Sequence, residues 1–129
     1  MERKILATAA FLGVTAIALG AFGAHGLKAM LTESQLTTFE TGVKYQMYHA
    51  LFLLFVGTTV QISSKTKNIL FWLTSIGVLF FSGSIFLLST AGITGLSAKV
   101  LGPVTPVGGL LLMAAWIVFF IKILGKKAE

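Results

Sequence analysis

Apolar residues are gathered into long blocks along this chain instead of alternating with polar ones. Four runs contain no Lys, Arg, Asp or Glu: Ile5–Leu27, Tyr45–Ser64, Asn68–Ala98 and Val100–Ile121, each of 20 residues or more. A helix rises about 1.5 Å per residue, so about 20 apolar residues cross the ~30 Å hydrocarbon core of a bilayer. Four such blocks in 129 residues leave little chain for anything else. The pattern predicts an all-α integral membrane protein. Its form is a compact four-transmembrane-helix bundle, a single domain over 1–129, with spans near 5–25, 45–62, 69–89 and 105–123.

Smaller patterns refine this picture. Gly13, Ala16, Gly20, Gly23 and Ala24 place small residues at helical spacing in the first run, where they let helix backbones approach closely. Packing inside the monomer and oligomerisation both fit that stripe. After the first run, Thr32 or Ser34 offers a helix N-cap, Thr32 and Gln35 have capping-box spacing, and Leu36, Phe39 and Val43 fall on one helical face. These predict a short amphipathic helix at the outer interface, running into the second span near Lys44. The connection before the last span holds Gly102, Pro103, Pro106, Gly108 and Gly109, which break helices. Being apolar, Gly102–Gly109 is expected to dip into the outer end of the bundle.

Composition agrees with the block pattern. The chain is 56% hydrophobic and 11% charged, with a mean hydropathy of +0.93. Soluble domains carry about 25% charged residues. With no Cys, disulfides, thiolate metal sites, iron–sulfur clusters and covalent haem attachment are all excluded. The net charge of +6 would suit nucleic acid, but the basic residues stand at the ends of the apolar runs, so no nucleic-acid partner is expected. Seven of them (Arg3, Lys4, Lys65, Lys67, Lys122, Lys126, Lys127) fall on one side of the predicted membrane and three (Lys28, Lys44, Lys99) on the other. The positive-inside rule then puts both termini in the cytoplasm and argues against an inverted dimer. The first run exceeds the 7–15 residues of a signal-peptide core and reads as a retained helix.

Few polar side chains lie inside the spans. Tyr45, Gln46 and His49 on the second, Ser82 and Ser84 on the third, Thr105 with Pro103 at the head of the fourth, and His25 at the close of the first are all placed toward one leaflet. Intramembrane polar groups are costly and raise a functional hypothesis. Together they predict an outer-leaflet pocket for a small amphiphile, lipid or quinone. Two histidines also raise axial haem ligation, which needs ligands on opposing faces of an apolar slot. Each residue has a plainer reading too: His25 snorkelling to headgroups, the serines bonding helix carbonyls. No carboxylate lies within a span, which argues against a proton-coupled exporter. No spacing supports a catalytic triad, so no catalytic residues, resident cofactor or metal are expected and the protein reads as non-enzymatic.

Four segments carry a family resemblance: Gly20–Leu27 (GAFGAHGL), Thr41–Leu51 (TGVKYQMYHAL), Phe81–Ser84 (FSGS) and Leu101–Gly109 (LGPVTPVGG). Together they resemble the small bacterial membrane proteins of the YgdD/YwdK type, related to eukaryotic transmembrane protein 256. The resemblance implies a four-helix protein of the bacterial inner (plasma) membrane and implies no reaction, the family being one of unknown function. Beside the pocket stand two other classes. One is a scaffold docking other membrane proteins or a second copy through the small-residue stripe; the other is a small transporter or channel.

Overall fold

A computed structural model describes residues 2–96 and 98–125. Lys126 and Lys127, counted above among the basic residues, lie outside them. The described residues form six α-helices: α1 (Glu2–Phe22), α2 (Glu33–Thr58), α3 (Ser64–Ser89), the single turns α4 (Ala91–Thr94) and α5 (Ala98–Leu101), and α6 (Val104–Leu124). A π-helical turn, Gly23–Leu27, extends α1. Three stretches are long and apolar enough to cross a membrane: Glu2–Leu27, Ser64–Ser89 and Lys99–Leu124. The α2 helix is equally long, at 26 residues, but Lys44, Gln46 and His49 interrupt its apolar character.

Local chemistry sets the helix ends. Thr32 accepts from the Gln35 backbone N–H at 3.1 Å while the Gln35 side chain accepts from the Thr32 N–H at 2.9 Å, closing the capping box that starts α2. The helix then runs without a break to Thr58, so the predicted amphipathic segment and the second apolar run share one rod. It stops four residues short of the expected boundary at 62, because Thr59 turns extended and Ser63 caps the next helix by accepting from the Thr66 N–H.

The expectation for Gly102–Gly109 needs correction. Only Gly102 and Pro103 stay outside helix, both exposed, and α6 is regular from Val104. Pro106 is tolerated there because a helix's first turn has no intrahelical use for its N–H groups.

The helices pack in chain order, α1 on α2, α2 on α3, and α3 on α6. Small residues make these approaches close. A Cβ on Gly20 would meet Val43 at 3.4 Å and one on Gly23 would meet Phe39 at 3.1 Å. Ala16 is buried, Gly13 faces open space and Ala24 is exposed, so the stripe of the first run is only partly used, and against α2. The α3–α6 contact is tighter: a Cβ on Gly108 would run into the Phe81 backbone, 2.7 Å from the Phe80 carbonyl carbon. The core below these crossings joins all four long helices through Ile5, Ala9, Leu53, Val56, Leu70 and Ala115. At the end carrying the α1 N-terminus, buried Lys67 pairs with Glu2 at 3.0 Å, and Lys4 lies over the Phe71 and Trp72 rings at 5.3 and 5.1 Å.

Candidate functional site

His49 is the deepest ionisable ring in the fold and organises its surroundings. One helical turn back, the Tyr45 carbonyl lies 2.7 Å from its Nδ1. From α6, the Trp116 indole N–H donates to its Nε2 at 3.1 Å. A carbonyl only accepts and an indole only donates, so these partners fix the neutral ring with its proton on Nδ1. Both nitrogens are thereby used within the protein. His49 acts as a bracket between α2 and α6, not as a free ligand.

That bracket stands Trp116 against Phe52, with ring centroids 4.3 Å apart, while Tyr45 leans on Phe81 of α3 at 5.0 Å. Between them a cavity of about 500 Å³ is lined by Tyr45, His49, Phe81, Leu112, Met113 and Trp116, with Gly109 and Ile117 completing it. It opens sideways, since Tyr45, Met113, Trp116 and Ile117 are all exposed. The walls are mostly aromatic and aliphatic, which suits an apolar body with one polar group.

The remaining residues of the expected pocket do not join it. Gln46 points the other way, toward α1, its amide donating to the Leu12 carbonyl at 3.0 Å and to the Thr15 hydroxyl at 2.7 Å. Ser82 donates to the Gly42 carbonyl at 2.8 Å, tying α3 to α2. Ser84 donates to the Phe81 carbonyl and meets the Thr105 hydroxyl, tying α3 to the head of α6. Pro103 is exposed at that head, and His25 is exposed on the π-turn, so the two histidines do not face one slot. Three separate interhelical clasps thus replace the single polar cluster. The physical reason is azimuth: residues at one depth still point in different directions around their helices.

A second lateral cavity, about 440 Å³, lies over Gln46 between α1 and α3 and is lined also by Thr8, Thr15 and Ser75. Among the described residues the buried hydroxyls of Ser75 and its neighbour Thr74 have no hydrogen-bond partner. Sequence reading missed Trp116, Phe81 and Met113 as walls of the cavity. Trp116 carried a usable signal, because an indole N–H in an apolar run needs an acceptor and His49 was available.

An all-helical bundle with membrane-length apolar helices and a side-opening aromatic cavity defines a small helical membrane protein. Its relatives agree. The chain is 41% identical over 106 residues to a UPF0382 membrane protein of Staphylococcus haemolyticus, covering 82% of this chain and 83% of that one. It is 38% identical over 108 residues to the UPF0382 membrane protein YwdK of Bacillus subtilis, covering 82% and 84%. It is 35% identical over 117 residues to a UPF0382 membrane protein of Haemophilus influenzae, covering 91% and 90%. Residues 19–109 match the family described as "Protein of unknown function (DUF423)", and the chain belongs to it. No solved structure matches the chain.

Proposed function

We propose that this is a non-enzymatic, four-span protein of the bacterial inner membrane, with both termini cytoplasmic, that holds a small amphiphile such as a lipid or quinone in the α2–α3–α6 cavity. The observation that carries the reading is the His49-braced aromatic cavity itself. Aromatic rings held by internal hydrogen bonds cost nothing further to order when a ligand enters. A lateral opening admits a molecule already dissolved in the bilayer. With both His49 nitrogens engaged, the Tyr45 hydroxyl at the cavity mouth is the group left to meet a ligand's polar atom. Haem is a weaker fit, since His49 would first have to release Trp116. The α2 helix supplies the fourth span: its polar residues Gln46 and His49 turn to α1 and α6, which lowers the cost of placing it in hydrocarbon.

Native mass spectrometry of the protein extracted gently from its own membrane tests this, with Trp116→Ala and Tyr45→Phe alongside. A non-protein mass retained by the wild type and lost from Trp116→Ala is expected, with weaker retention in Tyr45→Phe. A wild type that carries nothing, or a mass that both variants keep in full, would sink the reading.

A further inference from the structure

We propose that the groove between α3 and α6, at the end of the bundle carrying the α1 N-terminus, binds an anionic phospholipid whose headgroup meets Lys65, Lys122 and Asn68. The groove itself is the starting observation. A lateral cavity of about 310 Å³ is walled by Asn68, Ile69, Trp72, Leu73 and Ile76 of α3 and by Leu111 of α6. Asn68 apart, these walls are aliphatic or aromatic, and Ile69, Trp72 and Ile76 are exposed on the side of the bundle. Both helices belong to stretches long and apolar enough to cross a membrane. A groove on their outer side faces hydrocarbon and suits an acyl chain.

Basic side chains gather where this groove reaches the helix ends. Asn68 marks that end, near the start of α3 at Ser64. Lys65 stands three residues before Asn68 and four before Ile69, on the same helical face. On α6, Lys122 comes about three turns after Leu111, which returns it to the same face. Packing sets its level. Gly77 lies against Leu112 and Gly108 against Phe81, so the antiparallel run brings Lys122 level with Lys67 and Asn68. From α1, Lys4 adds a third cation, 5.1 Å from the centre of the Trp72 ring that walls the groove.

Charge complementarity names the occupant. Lys4, Lys65 and Lys122 are exposed and form no ion pair among the described residues. Glu2, the one described acid at this end of the bundle, is engaged by buried Lys67. Three cations at the mouth of an apolar groove match a molecule with an anionic headgroup at one end and a hydrocarbon chain at the other. Basic pockets between membrane helices bind such headgroups. A free phosphate would meet the lysines and leave the groove unused. The aromatic cavity lies on the other side of α6, at Met113, Trp116 and Ile117, so the two sites are separate. The inference holds for either orientation of the bundle and whatever that cavity holds.

Native mass spectrometry of the full-length protein in detergent, with phosphatidylglycerol and phosphatidylcholine supplied in equal amounts, tests this. The wild type is expected to retain phosphatidylglycerol about tenfold over phosphatidylcholine, because each lysine beside the headgroup favours the anionic lipid. A Lys65→Gln, Lys122→Gln variant should lose that preference, and a Lys65→Arg, Lys122→Arg variant should keep it. A Lys28→Gln, Lys44→Gln variant makes the same change of net charge away from the groove and should behave as wild type. Leu111→Trp, which fills the groove, should weaken retention with the lysines intact, and excess inorganic phosphate should not displace the lipid. Circular dichroism checks that each variant is folded. Should the Lys65, Lys122 variant fail to fold, each single change is expected to lower the preference about threefold. A wild type without the preference, a preference that survives loss of both groove lysines, an equal loss in the Lys28, Lys44 variant, full retention in Leu111→Trp, or displacement by phosphate would overturn the proposal.

Discussion

Trp116 and His49 show how one hydrogen bond shapes a site. The indole N–H and the imidazole lone pair satisfy each other among aromatic and aliphatic side chains that offer neither another partner. Replacing Trp116 with Phe keeps the ring stack on Phe52 but orphans Nε2, at a cost of about 1–2 kcal/mol. Thermal unfolding in detergent measures this as a lower Tm. A His49→Phe, Trp116→Phe double variant should lose less than the sum of the singles, because the two groups share one interaction. Additive losses would mean the bond contributes nothing. Ser82 offers a second case: Ser82→Ala frees the Gly42 carbonyl between α2 and α3 and should cost about 1 kcal/mol in the same assay. None of these pairings was legible in the sequence. His49 and Trp116 stand 67 residues apart, and Ser82 and Gly42 stand 40 apart. Residue types announced that partners were needed, not which partners they would be.

Helix ends were easier to read than helix neighbours. The Thr32–Gln35 box is a local code, so its spacing already marked Thr32, beside Ser34, as a candidate cap, and the structure starts α2 there. Proline misled at Gly102–Gly109, where position within the first turn mattered more than residue type. Packing is where glycines differ from one another. Gly108 lets α6 lie against the α3 backbone at Phe81, so Gly108→Ala forces the helices apart and should cost about 1–3 kcal/mol. Gly13 faces open space, so Gly13→Ala should be neutral or stabilising by up to about 1 kcal/mol through helix propensity. Equal Tm shifts for the two would contradict this account of the α3–α6 contact. In the sequence Gly13 belonged to the close-packing stripe and Gly108 to the helix-breaking connection; what sits opposite each reverses those roles.

For the whole molecule, orientation is the property to test first. The basic residues favour both termini on one side, and this follows if α2 crosses as a fourth span. A green fluorescent protein fused at either terminus should fluoresce, and alkaline phosphatase inserted near residue 30 or after Gly92 should be active. An inactive phosphatase at residue 30 or a dark fusion at only one terminus would mean an odd number of crossings or a different orientation. If the orientation holds, Lys67–Glu2 and the Lys4 contacts with Phe71 and Trp72 fasten α1 to α3 at the cytoplasmic end, while the aromatic cavity opens toward the bilayer.

The sequence by itself determined that the chain is helical and membrane-bound, because burial in hydrocarbon demands long apolar runs and internally satisfied backbones, both visible residue by residue. It also singled out the polar residues within those runs. Only the tertiary structure decided how they are used. Depth along a helix can be counted from the chain, but direction around it and the neighbour it meets depend on how the helices pack. Packing turned Gln46 to α1, Ser82 to the α2 backbone and Ser84 to α6. It left Tyr45 and His49 with Trp116 around the cavity, and Glu40 with Lys44 on the open face of α2.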